Sequence, residues 1–94
     1  MGITEIDSTD SPYTVTDSDT MIIADAASGA ITINLPSIVG ELGRTIIVKK
    51  IDNVNNVTVV AFVPDGIDGE PDQVITTQYD AIGLTVYSAE WAIN

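Results

Sequence analysis

The stretch VTVVAFV, residues 57–63, decides the fold class of this 94-residue chain. It carries no charge and no proline, and most of its residues are the β-branched and aromatic types that favour strands. Side chains of a strand alternate between two faces, so Val57 and Val59 share one face. Val60 and Phe62 lie on the other. A sheet with one solvated face would alternate apolar and polar residues. Both faces of this strand are therefore expected to be covered, either inside a sandwich or against other copies of the chain.

The rest of the chain shows the same preference for strands. Ile and Val are abundant and Leu is rare, no segment keeps a helical period, and turn residues recur about every 8–12 residues. These signals predict an all-β fold, either a small antiparallel β-sandwich or a β-prism. The predicted strands are residues 13–16, 20–24, 30–35, 44–52, 56–63, 73–79, 82–87 and 90–94. Residues 53–55, Asn-Val-Asn, are expected to join two of them as a hairpin loop.

The domain organisation is expected to be simple. Residues 1–12 are rich in Ser, Thr and Asp, which predicts a flexible N-terminal arm or linker. Residues 13–94 then form a single all-β domain, because 9.9 kDa suffices for one core. The first residues lack the basic and apolar segments of a signal peptide, so we expect none.

Composition excludes several classes of function. Fourteen acidic residues against three basic ones give a net charge of −11, and a nucleic-acid binder needs cations for the phosphates. No apolar run is long enough for membrane insertion. The chain has no Cys and no His, which removes thiol catalysis, Cys/His zinc sites and a Ser-His-Asp triad. No motif marks a desolvated pair of carboxylates, so we predict that the protein is not an enzyme and needs no cofactor for catalysis.

One acidic loop is a candidate cation site. It offers hard oxygen ligands of the kind that Ca²⁺ prefers, although their spacing is not that of an EF-hand. The candidate metal ligands are Asp65, Asp68, Glu70 and Asp72. The alternative is a solvated acidic turn, since Gly66, Gly69 and Pro71 are ordinary turn residues.

Three aromatic residues are candidates for glycan contact, because Tyr and Trp can stack on sugar rings. They are Tyr79, Tyr87 and Trp91. The alternative for Trp91 is a packing role in the last strand. The three basic residues, Arg44, Lys49 and Lys50, all fall on one predicted strand and are expected to pair with nearby carboxylates.

Six β-branched residues are predicted to lie either in the core of the chain or at an interface between copies. They are Ile31, Ile33, Ile46, Val48, Val57 and Val59. An interface between copies would cover the apolar strand faces that a small chain cannot hide, and interfaces of obligate oligomers resemble a protein core.

Several short motifs in order resemble a β-rich module of tailed-phage tail fibres, tailspikes and related virion structural proteins. They include YTVTDSD at residues 13–19, SGAITINLP at 28–36, GRTIIVKKID at 43–52 and NVTV at 56–59. The resemblance continues through Ile67-Asp68-Gly69 to Trp91-Ala92-Ile93 and covers about residues 12–94. Residues 88–90, Ser-Ala-Glu, depart from the pattern, which usually has a turn with Asp-Gly there.

The resemblance implies a homotrimer whose apolar strand faces meet near a threefold axis. It implies a structural protein of a bacteriophage virion, made in the host cytoplasm, that serves as a trimerisation and interaction domain of a tail fibre or tailspike. The alternatives are a capsid decoration (cement) protein and a receptor-recognition tip that binds glycans. The expected partners are two further copies of the chain, other virion proteins and, for the tip, a host surface glycan. The family shares no catalytic residues.

Overall fold

A computed structural model describes residues 2–94 and shows nine β-strands, a short 3-10 turn at Ser8–Asp10 and no α-helix within that range. The predicted all-β fold is confirmed. The strands are β1 (Ile3–Asp7), β2 (Tyr13–Thr14), β3 (Met21–Asp25), β4 (Ile31–Asn34), β5 (Thr45–Lys50), β6 (Val57–Val60), β7 (Asp72–Ile75), β8 (Ala81–Val86) and β9 (Trp91–Ile93). Each of the eight predicted strands overlaps one of β2 to β9. Across residues 2–94, no helix has the length and apolar character needed to cross a lipid bilayer.

The strands form two mixed sheets. One has five strands in the order β1-β3-β5-β8-β9, and the other has four in the order β2-β4-β6-β7. The antiparallel arrangement predicted from the sequence is wrong for the pairings among the first six strands. β1, β3 and β5 are mutually parallel in one sheet, and β2, β4 and β6 are mutually parallel in the other. The last three strands pair in antiparallel fashion.

The path of the chain explains the parallel pairing. Each of the first six strands lies in the sheet opposite to that of the strand before it, so β1 to β6 form three turns of a flattened coil. Ile3, Met21 and Ile47 consequently lie side by side on adjacent strands. Residues 53–55 do not form the predicted hairpin, because they lead from β5 in one sheet to β6 in the other. The coil ends where β7 turns back along β6 and β8 pairs with β5.

The core lies between the two sheets and forms one cluster. Each sheet turns alternate residues inward, as the period of two requires. Ile22, Val48 and Leu84 come from the five-stranded sheet and are fully buried. Ile33 and Val59 come from the four-stranded sheet and meet them. The two facing layers provide the apolar burial that stabilises the chain.

Residues 3–10 differ from the predicted flexible arm. Residues 3–7 form the edge strand β1, which pairs along its whole length with β3. Ile6 is only 6% exposed and belongs to the core. The carbonyl of Gly2 accepts hydrogen bonds from the amides of Thr20 and Met21, at 2.8 and 3.0 Å. The segment at residues 3–10 has the composition of a loop. It is held in place by the buried side chain of Ile6 and by these backbone hydrogen bonds.

Candidate functional site

The predicted cation site is not formed. Asp65 Oδ2 accepts a hydrogen bond from the Ile38 amide at 3.0 Å, and Asp68 Oδ1 accepts one from the Ile93 amide at 3.2 Å. These carboxylates therefore anchor different neighbouring segments, and Glu70 and Asp72 are exposed. Within residues 2–94, no group of three or more acidic side chains is placed to hold a metal ion. Two of the four candidate carboxylates are thus engaged by backbone amides that lie 27 and 25 residues away along the chain.

The three aromatic candidates do not form a platform for a glycan. Trp91 is 0% exposed and lies in the core, so it cannot stack on a sugar in solvent. Tyr79 and Tyr87 are exposed, but they precede and follow β8. At about 3.3 Å per residue, the length of β8 separates these two side chains by roughly 20 Å. The two exposed tyrosines are therefore too far apart to stack on one sugar ring.

All six residues predicted for the core or an interface lie in the core of the chain itself. Each is at most 1% exposed in the single chain. They are Ile31, Ile33, Ile46, Val48, Val57 and Val59. They face inward between the two sheets and are covered by residues of the same chain. None of these six side chains is therefore available for contact between copies.

An uncharged groove with a volume of about 590 Å³ lies at the end of the four-stranded sheet where β2, β4 and β6 end. We call it the Phe62 groove; its lining residues are Thr14, Asn34, Leu35, Pro36, Ser37, Val60, Ala61, Phe62 and Val63. Phe62 is 53% exposed and Val63 is 83% exposed. Val74, on the neighbouring strand β7, is also exposed but does not line the groove. The groove therefore brings together the second apolar face of residues 57–63 and the end of β4.

Backbone hydrogen bonds fix the walls of the Phe62 groove. The Leu35 amide donates to the Val60 carbonyl at 2.8 Å, which ties the end of β4 to β6. The Ala61 amide donates to the Pro71 carbonyl at 3.0 Å. The Phe62 carbonyl accepts from the Asp65 amide at 2.6 Å. The groove exists in the single chain, so an occupant would bind without first ordering the backbone.

A buried carboxylate, Asp19, joins the elements at one end of the sandwich. Asp19 Oδ2 accepts hydrogen bonds from the Tyr13 hydroxyl at 2.7 Å and the Thr16 amide at 2.8 Å, and Thr4 donates to Oδ1. Burial alone would raise the pKa of Asp19, but the bonds from Thr16, Thr4 and Tyr13 together lower it. The Arg44 guanidinium donates to the Asp19 carbonyl at 3.1 Å and forms an ion pair with Glu41 at 2.9 Å. Arg44 thereby ties the loop before β3 to the start of β5.

A second buried cluster lies at the opposite end and is centred on Asp52. The Lys50 ammonium is 3.3 Å from Asp52 Oδ2, and the Lys50 and Asp52 side chains are 1% and 4% exposed. Asp52 also accepts hydrogen bonds from the amides of Ala26, Val54 and Asn55, at 2.8, 2.9 and 3.1 Å. Burial would raise the pKa of Asp52, but these bonds and Lys50 lower it to about 2. Asp52 therefore holds the turn before β6 against the end of β3.

Sequence reasoning found the basic residues of these clusters but not their acidic partners. The expected pairing with carboxylates is confirmed for Arg44 and Lys50. Lys49 instead lies with its Nζ atom 5.9 Å from the centre of the Tyr79 ring, and no carboxylate of residues 2–94 is within ion-pair distance of it. The one sequence signal for Asp52 is its place at the start of a polar turn, where Asp side chains commonly bind amides two residues on.

No protein-family model matches this sequence, and no curated protein matches it either. The clusters around Asp19 and Asp52 are closed by partners of the same chain, so their role is to stabilise the fold. The Phe62 groove remains open, and a second uncharged groove does too; its lining residues are Ile38, Val39, Gly40, Leu42, Val86, Tyr87 and Ser88.

Proposed function

We propose that this chain is a structural module of a bacteriophage virion, of the tail-fibre or tailspike type, and that it works by self-association into a homotrimer. The observation that carries the proposal is the exposed apolar side of the segment at residues 57–63. Its inward side chains, Val57 and Val59, are covered by the chain. Phe62 and Val63 are not. The resemblance of residues 12–94 to modules of phage fibres supplies the biological setting and the number of copies.

Burial of the outer apolar side chains is the driving force of the proposed assembly. Removing apolar surface from water stabilises a complex by about 25 cal/mol per Å² before the costs of association. Exposed apolar patches on small soluble proteins commonly mark interaction sites. The rest of the surface is strongly acidic, which favours solubility and disfavours random contacts between particles. The uncharged Phe62 groove is one place where copies can meet without bringing carboxylates together.

The proposed trimer is tested by measuring the mass in solution with size-exclusion chromatography and light scattering at micromolar concentration. We expect a mass near three times the 9.9 kDa of one chain. A stable monomer under these conditions would show that the proposed assembly does not occur.

The virion assignment needs a separate measurement. Phage particles purified from the source of this sequence should contain peptides of the chain when they are analysed by mass spectrometry after stringent washing. Intact infectious particles without these peptides would overturn the virion role whatever the mass of the isolated protein.

A further inference from the structure

Strand β7 is the last strand of the four-stranded sheet, and its outer edge has backbone groups without partners among residues 2–94. The Ala61 amide donates to the Pro71 carbonyl at 3.0 Å, which makes these two residues a hydrogen-bonded pair. Such pairs alternate along an antiparallel ladder, so Gln73 and Ile75 also bond to β6. The residues whose amides and carbonyls point outward are Asp72, Val74 and Thr76.

Two of the three other edge strands, β9 and β2, are blocked by backbone and turn contacts. The outward amide of Trp91 in β9 donates to the Gly66 carbonyl at 2.9 Å. The outward amide of Ile93 donates to Asp68 Oδ1 at 3.2 Å. β2 has only two residues and follows Pro12, which has no amide hydrogen. Covered amides, short strands and prolines keep a sheet edge from pairing with another chain.

The edge of β1 is blocked by carboxylates. The outward amide of Asp7 donates to Asp10 Oδ2 at 3.0 Å. Glu5 and Asp7 are exposed, so a strand laid along β1 would meet two negative side chains. In β7 only the first residue, Asp72, is charged. Among residues 2–94, β7 is therefore the one edge strand left open.

We infer that two copies of the chain join through β7, edge to edge and antiparallel, about a two-fold axis at Val74. Val74 then exchanges hydrogen bonds with the partner's Val74, and Asp72 exchanges them with the partner's Thr76. Every outward amide and carbonyl of the three residues gains a partner in this register. The two four-stranded sheets become one continuous sheet, and the inward faces of both copies stay on the same side.

The side chains in this register select a second copy as the occupant. Any extended segment could bond to the outward backbone groups, so the choice depends on what each side chain faces. Asp72 faces the partner's Thr76, whose hydroxyl can donate to the carboxylate, and Val74 faces the partner's Val74. The two Asp72 carboxylates lie four residues apart along the strands, about 13 Å. In a chain that carries −11, a contact that keeps its carboxylates apart and gives each one a donor is complementary to itself.

The β7 contact goes beyond the proposed trimer. It is isologous, because both copies use the same surface. It would join two single chains into a dimer, or two trimers into a particle of six chains. No residue of β7 lines the Phe62 groove, so the two surfaces can be occupied independently.

Hydrogen exchange of single amides, followed by NMR at micromolar and millimolar protein concentration, tests the contact. Gln73 and Ile75 bond to β6 and should exchange slowly at both concentrations. The amides of Asp72, Val74 and Thr76 should exchange at least about tenfold more slowly at the higher concentration. Fast exchange of these three amides at both concentrations would overturn the inference. Slow exchange in a solution of single chains would overturn it too, since the chain itself would then cover the edge.

Two substitutions of Val74 isolate its outward amide. Val74→Pro removes the amide hydrogen at the centre of the contact and takes no bond from β6, because that amide points away from β6. Val74→Ala keeps the amide and is the matched control. Circular dichroism and thermal melting check that both variants fold. We expect Val74→Pro to lose the slow exchange at Asp72 and Thr76, and Val74→Ala to keep it.

Val74→Asp provides a second test that leaves the backbone of β7 unchanged. It places two carboxylates opposite each other across the two-fold axis, and like charges in that position oppose pairing. The Val74 side chain is 47% exposed in the single chain, so the change should not unfold it. This variant is also expected to lose the slow exchange. Slow exchange retained in both Val74→Pro and Val74→Asp would contradict the inference.

A peptide competition tests whether the edge selects this chain. A synthetic peptide with the sequence of residues 71–78 should slow exchange at the outward amides of dilute protein. A control peptide with the residues of positions 72 and 74 exchanged has the same composition but puts its carboxylate opposite Val74, so it should bind less. Equal binding of both peptides would show that the edge accepts extended segments in general and would overturn the selection of a second copy.

Light scattering of the same samples separates this inference from the proposed function. A particle of three chains whose outward β7 amides exchange fast overturns the edge contact and leaves the proposed trimer standing. A particle of two chains with these amides protected supports the edge contact and overturns the trimer. Six chains that Val74→Pro converts to three support both. Single chains at both concentrations overturn both.

Discussion

At the scale of single residues, Asp19 and Asp52 hold the two ends of the sandwich. Each is a buried carboxylate that binds several backbone or hydroxyl donors from different segments. A buried charge is tolerable only when its partners replace the lost water. Asp19 has Thr4, Tyr13 and Thr16. Asp52 has an ammonium and three amides. Removing either carboxylate would leave these donors without acceptors, so both residues are expected to be sensitive to substitution.

Stability should fall in acid because of Asp52. Its pKa is about 2 in the folded chain, below the ordinary value of 3.8. A carboxyl with a lowered folded pKa stabilises the fold above the unfolded pKa, and this contribution is lost as the pH falls through the folded pKa. We expect a loss of about 2 kcal/mol in the free energy of unfolding between about pH 5 and pH 2. Urea unfolding followed by circular dichroism at several pH values measures it.

Two variants isolate the contribution of Asp52 to this pH dependence. Asp52→Asn leaves the Lys50 ammonium buried without its counter-charge, so it should lower stability at neutral pH by about 3 kcal/mol. Its stability should also fall less between about pH 5 and pH 2, since the group that titrates is gone. Asp80→Asn changes an exposed carboxyl and should follow the wild type. An Asp52→Asn variant with the full pH dependence of the wild type would show that other carboxyls cause it.

The residue scale also shows where sequence reasoning stops. The aliphatic candidates such as Ile33 and Val59 could be named as buried because β-branched residues at alternating positions indicate an inward face. Lys49 and Lys50 are adjacent, however, and only the register of β5 decides which one points inward. Composition suggests that a lysine faces solvent, but Lys50 is 1% exposed because Asp52 lies beside it. The pairing of Lys50 with Asp52 depends on the turn that follows β5 and holds Asp52 over the core.

At the scale of elements, β1 shows how a weak sequence signal can still yield an ordered strand. Ile3, Glu5 and Asp7 are exposed, and the only strongly buried side chain of β1 is Ile6. The strand depends on pairing with β3 and on the contact of Thr4 with Asp19. These partners lie well away along the chain, which is why the local pattern of Ser, Thr and Asp indicated a loop.

A pair of alanine substitutions in β1 tests its contribution to the fold. Ile6→Ala removes a core side chain and should lower the free energy of unfolding by about 2 kcal/mol or more. Ile3→Ala changes a side chain that is 67% exposed and should alter stability by less than about 0.5 kcal/mol. Chemical denaturation of the two variants gives both values. Equal and small effects would mean that β1 contributes little to the stability of the domain.

The positions of strands could be predicted from the sequence, but their pairing could not. Alternation and turn residues are local signals, and they located β2 to β9. The choice of partner is not local, because a turn such as residues 53–55 can join neighbours in one sheet or lead to the opposite sheet. The turns of the coil also differ in length, as the alignment of Ile3, Met21 and Ile47 shows. No regular repeat was therefore present to indicate parallel strands.

At the scale of the whole molecule, charge opposes assembly and apolar burial favours it. Three copies would bring together three chains that each carry −11. Repulsion between exposed charges is screened by salt, and the Debye length falls from about 30 Å at 0.01 M to about 3 Å at 1 M. Apolar contacts do not weaken under these conditions. Salt should therefore strengthen the assembly.

The salt dependence of association provides the check at this scale. Between about 0.01 M and 1 M NaCl, we expect the concentration at which the assembly dissociates to fall by roughly tenfold. Sedimentation velocity across a dilution series at each salt concentration measures it. Dissociation promoted by salt would indicate that ion pairs between copies, rather than the uncharged groove, hold the assembly together.

The buried indole of Trp91 gives the molecule a built-in optical reporter. It is the only tryptophan, it is wholly shielded from water, and its Nε1–H finds no hydrogen-bond acceptor among residues 2–94. Light emission from the native protein should accordingly resemble that of indole in a hydrocarbon solvent and move to longer wavelength when the last strand detaches. Because the bridge between Ile67 and Trp91 joins the acidic loop to β9, the same emission should follow both segments as the protein refolds.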